Sequence, residues 1–377
     1  SVFTGLAFLF FLTRNVTLDD FGVWALVMLV VHYIIFPNSL TNYWVTRYMA
    51  RGFKVAKTGL AMNLAFSLLG FVVSLLISPY IAKTINADST YFMVGSLIIP
   101  AWYLVLSLEA VASGCIPHII GYGFVTSEIV KVVFGLIMIV YMKMGLYGAF
   151  MSLIIAYLVQ AVFLLVSLRG YVTERKMDLN TAKKWLKMSW VPFYGGLGPL
   201  LLSLDAFIVT LLTFSSLPLS LWRAALTLTT IVGYSTELAS ALYPKLLSGG
   251  SEQDVETSFK LVLMFVIPST IGALLLAEPL LRIFKREFVE AAIILRVNVL
   301  TVLLTCVLGI LNSVIIGTEK VDTEDTSFKK LLKSRLFFLP TLSYAQAFMY
   351  LPTICVVSAI IINLSLEPVY INVPLAC

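Results

Sequence analysis

The sequence predicts an all-α polytopic membrane protein, and two observations lead to this fold class. Hydrophobic residues make up 60% of the 377 residues and charged residues only 12%, against about 25% charged in an ordinary soluble domain. The mean hydropathy of +0.97 implies more apolar surface than an aqueous core can bury. The apolar runs are roughly 20 or more residues long, which favours membrane helices over the strands of about 10 residues in a barrel.

Proline, glycine and charge clusters divide the chain into eleven or twelve predicted helices. The last apolar segment contains Pro340 and Pro352, which predicts either one kinked span or two spans. The chain begins at Ser1 inside an apolar run too short to cross a membrane, so we expect it to be clipped there and at its other end. The predicted spans are 1–14 (partial), 22–46, 58–82, 91–115, 123–143, 146–168, 187–213, 217–246, 258–284, 289–316 and 336–365.

Basic residues predict the orientation of the chain. They cluster after the second, sixth and tenth predicted spans, in loops that all lie on one side of the membrane. By the positive-inside rule these loops and the N-terminus are cytoplasmic, and we expect a multi-pass protein of the cell membrane. The net charge of +6 therefore indicates membrane lipid, and not nucleic acid, as a partner. The basic loop residues are Arg47, Arg51, Lys54, Lys57, Arg169, Arg175, Lys176, Lys183, Lys184, Lys187, Lys320, Lys329, Lys330, Lys333 and Arg335.

A polar stretch at 169–186 divides the chain into near-equal halves. We predict an N-terminal transmembrane lobe over 1–168, a cytoplasmic inter-lobe loop over 169–186 and a C-terminal transmembrane lobe over 187–377. A shift of 200 positions aligns Tyr43 with Tyr243 and Pro79 with Pro279. Because each half holds an even number of helices, the halves form parallel repeats, so we predict two pseudo-symmetric six-helix lobes around a central cavity.

Several segments resemble a known family. Leu12-Thr13-Arg14 followed by Leu18-Asp19-Asp20-Phe21-Gly22-Val23-Trp24 resembles the signature that closes the first helix of polysaccharide-biosynthesis flippases. These form the Wzx-like branch of the multidrug/oligosaccharidyl-lipid/polysaccharide exporter (MOP) superfamily, which is MATE-like. The segments around Asp205 and Trp222, ALYPKLLSGGSEQDVETSFK, and LAEPLLRIFKREFVEAAIILRV resemble later family segments. The resemblance covers most of residues 1–317, although Asn15-Val16 departs from the family pattern.

The resemblance implies a non-enzymatic flippase for a lipid-linked oligosaccharide or polysaccharide precursor. Two lobes alternate access to the cavity, and the lipid tail stays in the bilayer. No cofactor is expected beyond a coupling Na+ or H+. We expect a monomer that works beside glycan-assembly enzymes.

Ionisable residues at bilayer depth are functional candidates, because each costs roughly 2.5–3.5 kcal/mol on insertion scales. Arginine suits bidentate contacts with a lipid diphosphate, whereas acidic residues suit the coupling ion. The alternative interpretation is that Arg14 and Arg223 snorkel to the interface, that Glu128 and Lys131 neutralise each other at i, i+3, and that Glu237 makes a structural hydrogen bond. The candidates for the substrate cavity are Arg14, Arg223, Arg296, Asp205, Glu109, Asn63 and Gln160, and those for ion coupling are Asp205, Glu109 and Glu237.

A run of small and cyclic residues precedes Asp205. Such residues loosen a helix, so they predict a hinge or freed carbonyls that line a cavity; the alternative is close helix packing. The candidate hinge residues are Pro192, Gly195, Gly196, Gly198 and Pro199.

Two other functions compete with the flippase. A cation-coupled multidrug or amphiphile exporter of the same superfamily would use the same acidic residues. A membrane-embedded glycan polymerase or glycosyltransferase is disfavoured, because such enzymes need paired carboxylates on a sizeable extramembrane loop. The cysteines show no CxxC spacing, and His32 and His118 are far apart, so we expect no metal centre.

Overall fold

The computed structural model describes residues 2–173, 177–239, 251–317 and 335–363. Every regular element within these residues is a helix. This is the structure that lipid requires, because the hydrocarbon core offers no partner to a free backbone N–H or C=O group. The predicted all-α membrane fold is confirmed.

The chain divides into two compact units. The first comprises Ser1–Leu200 and Phe214–Ser216, and the second comprises Leu201–Thr213 and Leu217–Cys377. The predicted pair of six-helix lobes, with its boundary at 169–186, stays a prediction.

The helices are labelled in chain order, and short 3-10 and π-helical turns join some of them. A π-helical turn over Leu136–Tyr141 continues α7, and 3-10 turns cover Tyr234–Ala239 and Arg286–Ala291. The helices are α1 (Val2–Asn15), α2 (Leu18–Ile35), α3 (Pro37–Ala50), α4 (Ala56–Thr84), α5 (Ser89–Ser96), α6 (Ile98–Cys115), α7 (His118–Gly135), α8 (Gly145–Ser167), α9 (Arg169–Thr173), α10 (Leu179–Lys187), α11 (Trp190–Leu202), α12 (Leu204–Thr213), α13 (Leu217–Gly233), α14 (Glu252–Leu275), α15 (Ala277–Phe284), α16 (Ala292–Gly317) and α17 (Arg335–Asn363).

Eight segments of the described chain are long and apolar enough to cross a membrane. The other predicted spans correspond to the shorter helices α1 and α13, with 14 and 17 residues, and to α17. The eight segments are Leu18–Ile35, Ala56–Thr84, Ser89–Cys115, His118–Tyr141, Gly145–Ser167, Pro192–Thr213, Glu252–Leu275 and Arg286–Leu311.

Several predicted spans consist of two helices. The span predicted at 22–46 is divided at Phe36 because Pro37, which has no N–H group, begins α3. The backbone N–H of Phe36 donates to the Tyr33 carbonyl at 3.2 Å. Within the span predicted at 217–246, α13 ends at Gly233 and a 3-10 turn follows; the end of this predicted span, at 240–246, lies outside the described residues.

The core of the first unit lies between α3, α4, α6 and α8, around side chains such as Trp44, Val111 and Leu164. The other side of α4 exposes Leu68, Leu76 and further leucines. Exposed leucines are unfavourable in water but favourable against acyl chains. The first unit therefore combines a packed apolar core with an apolar outer surface on α4, as expected of a membrane protein.

The segment that carries the family resemblance has a local structural role. Thr17 caps α2, with its hydroxyl accepting from the Asp20 N–H at 3.1 Å while the Asp20 carboxylate accepts from the Thr17 N–H at 3.4 Å. This is a capping box. Phe21 and Trp24 stack with ring centroids 5.5 Å apart. Gly22 lies against the backbone of Ser216, so a side chain is excluded there.

The predicted inter-lobe loop is not wholly irregular. Residues 169–186 include α9 and most of α10. Helix α10 was not predicted because it is short and polar on average, and only its pattern of leucines and lysines indicates an amphipathic helix.

Candidate functional site

Asp205 lies where a membrane span is interrupted. Helix α11 ends at Leu202, and α12 begins at Leu204 after a turn at Ser203, so Asp205 is in the first turn of α12. Its Oδ1 accepts from the Ala206 N–H at 2.6 Å. A helix N-terminus carries partial positive charge and unpaired N–H groups, both of which favour a carboxylate. The break in the span therefore creates a favourable position for an anion inside the membrane segment.

Tyr350 of α17 is the second partner of Asp205. Its hydroxyl donates to Asp205 Oδ2 at 2.9 Å. The rings of Tyr350 and Trp222 pack against the buried pair Val209 and Ile354. This apolar contact fixes α12 and α17 beside each other and sets the position of the phenol.

A shallow, open depression on one face of α17 lies next to this pair. It has a volume of about 550 Å³. Tyr350 thus belongs to two features at once, since its hydroxyl contacts the carboxylate and its side chain lines the depression. The lining residues are Leu342, Ala345, Gln346, Met349, Tyr350 and Thr353.

Glu109 and Gln160 form a second pair, in the first unit. The Gln160 side-chain amide on α8 donates to Glu109 Oε1 on α6 at 2.9 Å. Nearby on the same two helices, Trp102 and Tyr157 stack with centroids 5.6 Å apart. Both residues of the pair were separate candidates in the sequence, and the structure brings them together. Carboxyl groups and the faces of aromatic rings can each bind a cation.

Asn63 lies in a buried network between α3, α4 and α6. Its Nδ2 donates to Asn42 Oδ1 at 2.8 Å, and Asn42 in turn donates to the Leu106 carbonyl at 3.0 Å and to Asn38. Asn38 donates to Ser107 Oγ at 3.4 Å. These contacts join three helices, so Asn63 has a structural role whether or not it also contacts substrate; its substrate role stays a prediction.

The three candidate arginines have different surroundings. The Arg14 guanidinium lies 5.4 Å from the centroid of the Phe10 ring on the exposed side of α1. Arg223 is half-buried on α13. Arg296 forms an ion pair with Glu278 at 3.3 Å and donates to the Leu274 carbonyl at 3.4 Å. The predicted phosphate contacts stay predictions, and Arg296 has an acidic partner that the sequence did not indicate.

The candidate hinge residues lie in α11, which is continuous from Trp190 to Leu202 with Pro199 inside it. The interruption that we expected from Pro192, Gly198 and their neighbours falls instead at Ser203, after the small-residue run. A Cβ on Gly196 would approach the Phe36 ring at 2.8 Å, whereas Gly195 has open space. Close packing therefore explains Gly196, and the hinge role of this run stays a prediction.

The structure places two other acidic residues, Glu128 and Glu237, in different surroundings. Glu128 and Lys131 on α7 form the expected ion pair, and Glu128 also accepts from the Thr4 hydroxyl. Glu237 was predicted inside a membrane helix but lies in the 3-10 turn Tyr234–Ala239, after α13 has ended. In the part of the chain that the structure describes, no three His, Cys, Asp or Glu side chains form a group that could hold a metal ion.

Tyr350 is the residue that the sequence analysis missed. A tyrosine in an apolar helix is common, and its partner Asp205 is 145 positions away. The only available signal is a hydroxyl within an apolar span, which needs a polar partner when it is buried.

Comparison of the whole chain with solved structures identifies the fold. A lipid II flippase, MurJ, in an inward closed conformation matches with a TM-score of 0.69 over 100% of this chain and 84% of that chain, at 11% identity. The inward-facing conformation of a multidrug resistance MATE family transporter matches with a TM-score of 0.66 over 99% of this chain and 90% of that one, at 12% identity. The chain has the MOP transporter fold.

A third structure with the MOP fold is a MOP superfamily transporter from Pyrococcus furiosus. It matches with a TM-score of 0.63 over 99% of this chain and 88% of that chain, at 13% identity. No protein-family model and no curated protein matches the sequence. The MOP fold therefore rests on structure, and the proteins that share it here are transporters and a flippase rather than enzymes.

Proposed function

We propose that this chain is a membrane transporter that moves a lipid-linked oligosaccharide or polysaccharide precursor across the cell membrane by alternating access. The observation that carries the proposal is the MOP fold, which extends over the whole chain and is shared with a lipid II flippase. The segments at 12–24 and around Asp205, which resemble polysaccharide-biosynthesis flippases, favour a saccharide lipid as the substrate. The reaction breaks no covalent bond, so no catalytic group is assigned.

Asp205 is proposed as the coupling site for Na+ or H+. Its carboxylate accepts hydrogen bonds from the Ala206 N–H and the Tyr350 hydroxyl. A bound proton or Na+ neutralises this carboxylate and weakens the bond from Tyr350, because hydrogen bonds to an ionised acceptor are the stronger ones. The contact between α12 and α17 then differs between ion-bound and ion-free states, which is what an ion needs to shift a conformational equilibrium.

The sequence suggests further binding residues, the orientation of the chain and its oligomeric state. Glu109, paired with Gln160, is a second candidate for the ion, and Arg14, Arg223 and Arg296 are candidates for the lipid diphosphate. The N-terminus is placed on the cytoplasmic side by the basic loops. The working form is a monomer in the company of glycan-assembly enzymes.

A gradient-driven exporter of drugs or amphiphiles is the second candidate. It is supported by the similarity to a multidrug resistance MATE family transporter, at a TM-score of 0.66. The depression lined by Met349, Tyr350 and other residues of α17 is mostly apolar, which suits an amphiphile.

The test uses the chain reconstituted in liposomes with a fluorescent polyprenyl-diphosphate oligosaccharide, under Na+ or proton gradients. Asp205→Asn keeps the shape of the side chain but cannot exchange its charge, so gradient-dependent flipping is lost. Tyr350→Phe keeps the ring against Val209 and removes only the hydroxyl. Because the ion-free carboxylate loses its hydrogen bond, the half-saturating concentration of the coupling ion falls about tenfold, and ion release slows.

Tyr80→Phe, at a tyrosine that is 77% exposed on α4, is the matched control and leaves flipping unchanged. If Asp205→Asn flips the saccharide lipid with an unaltered gradient dependence, the coupling assignment is wrong. If no saccharide lipid moves but cationic dyes are exported under a gradient, the exporter replaces the flippase.

A further inference from the structure

Helix α10 is attached to the first unit at its N-terminus. Asp178 caps the helix, with its carboxylate accepting from the Asn180 N–H at 3.0 Å and from the Thr181 hydroxyl at 2.6 Å. The backbone N–H of Asp178 donates to Thr58 Oγ1 on α4 at 3.0 Å. These bonds fix where α10 starts and hold it against the first turn of α4.

The inner side of α10 is attached by Trp185. This side chain is 1% exposed, and its ring meets the Tyr48 ring of α3 edge-on, with centroids 5.4 Å apart. Ala182, one turn earlier, is also buried. One side of the helix is therefore part of the protein core, and α10 cannot rotate without losing this contact.

The outer side of α10 contains an apolar stripe and a basic stripe. Residues advance about 100° around a helix, so Leu179 and Leu186, seven positions apart, share one stripe. They are 62% and 53% exposed. Lys183 and Lys187 lie next to this stripe on the side away from Trp185, and Lys184 lies beyond them; all three lysines are exposed. Such a stripe of leucines bordered by lysines is typical of a helix lying in a membrane interface.

The loop between α3 and α4 adjoins α10 through Tyr48. Tyr48 contacts both Trp185 and Phe53, the latter with ring centroids 5.5 Å apart. Phe53 is 54% exposed. Residues 51–57 and 177–187 together carry six basic side chains and one carboxylate, that of Asp178, which is engaged as the helix cap. We call this surface the basic interfacial patch; it comprises Arg51, Phe53, Lys54, Lys57, Leu179, Lys183, Lys184, Leu186 and Lys187.

We propose that the basic interfacial patch binds the head groups of anionic phospholipids at the surface of the bilayer. Leu179, Leu186 and Phe53 enter the boundary between head groups and acyl chains, and the lysines contact phosphates. Binding needs both the insertion of the apolar side chains and the lysine–phosphate contacts. An exposed leucine adds little binding free energy in water, and a lysine cluster adds little on a neutral bilayer. The site is independent of transport and positions the first unit at one surface of the membrane.

The experiment measures retained lipid on the full chain. The protein is reconstituted in nanodiscs of phosphatidylcholine with phosphatidylglycerol, extracted in mild detergent, and the bound phosphatidylglycerol is counted by native mass spectrometry. Lys183→Gln with Lys187→Gln reduces its retention about tenfold, and Leu179→Ser with Leu186→Ser also reduces it. The matched control, Lys83→Gln with Lys143→Gln, removes two other exposed lysines and leaves retention unchanged. Circular dichroism of each variant confirms that it is folded.

Equal retention by the wild type and the Lys183/Lys187 variant overturns the proposal. Equal loss in both lysine pairs also overturns it, because general electrostatic attraction then explains the binding. Addition of inorganic phosphate or soluble glycerol phosphate distinguishes the source. Complete displacement at millimolar concentration means that the site takes free phosphate instead of a bilayer surface. Retention that persists is the result expected.

Discussion

Gln160 on α8 donates its side-chain amide to the carboxyl group of Glu109 on α6, across 2.9 Å. Gln160 is buried, and both helices belong to segments able to cross a membrane. Inside a membrane segment, water does not readily replace a lost hydrogen-bond partner. The contribution of this hydrogen bond to the free energy of unfolding can therefore be measured separately from transport.

Replacement of Gln160 by Leu should destabilise the protein by about 1–3 kcal/mol, because Glu109 then lacks its hydrogen-bond donor in a poorly hydrated place. Glu109→Gln should cost less than about 1 kcal/mol, since an amide oxygen still accepts the bond. The measurement is thermal unfolding in detergent, followed by tryptophan fluorescence. A larger loss for Glu109→Gln than for Gln160→Leu would contradict the role of the carboxyl group as the residue that needs a partner.

Gly22→Ala should be strongly destabilising. The added Cβ would meet the Cβ of Ser216 at 2.7 Å and its carbonyl carbon at 2.8 Å, and backbone cannot move aside as a side-chain tip can. Overpacking of this kind costs typically about 1–3 kcal/mol. Gly121→Ala on α7, where nothing lies within 4 Å, is the control and should gain up to about 1 kcal/mol from helix propensity. Similar melting temperatures for the two variants would show that α2 and residue 216 are not in contact.

Gly196→Ala should cost less than Gly22→Ala, because its nearest neighbour is the edge of the Phe36 ring, which can rotate. Phe36→Leu in the same chain should restore most of the loss. Gly195→Ala, at an adjacent position with open space, should be neutral or stabilising. If the Phe36→Leu background gives no rescue, then the cost arises from backbone flexibility at Gly196, and the hinge interpretation gains support.

The Asp88 carboxylate should make the stability of the protein depend on pH. It caps α5, where its carboxylate accepts from the Thr90 N–H at 2.9 Å, and the hydrogen bonds from Thr90 lower the pKa of Asp88. Because the folded pKa lies below the unfolded one, the contribution is complete above the unfolded value of about 3.9 and is lost as the pH falls through the folded value. The melting temperature of Asp88→Asn should therefore lie below that of the wild type at pH 6 and approach it near pH 3. A constant difference over this range would exclude the carboxylate as the cause.

The sequence predicted the helices well and their partners poorly. Long apolar runs indicate the solvent that surrounds a segment, so most of the apolar spans could be predicted, and the i, i+3 spacing predicted the charge pair at Glu128 and Lys131. The break at Ser203 could not, because no proline or glycine occupies that position. Tyr350 was missed because hydrogen bonds between distant helices leave no periodicity in the chain.

The segment Leu18–Trp24 shows a different limit. As a motif it indicated a family, but its residues act locally in the structure: Asp20 closes the cap of α2, Gly22 allows close approach to Ser216, and Phe21 stacks on Trp24. These residues of the motif therefore each have a structural role within the first unit.

The bond between Tyr350 and Asp205 has a consequence for biosynthesis. The two residues are 145 positions apart, and a chain is made and delivered to the membrane from its N-terminus. Lys131 reaches the bilayer together with Glu128, so that ion pair is complete when its own helix is inserted. Asp205 must instead wait until at least the four described helices α13, α14, α15 and α16 have been synthesised before Tyr350 is made. A chain whose synthesis stops before residue 350 therefore has a membrane-inserted acid that lacks its Tyr350 donor and keeps only the Ala206 N–H.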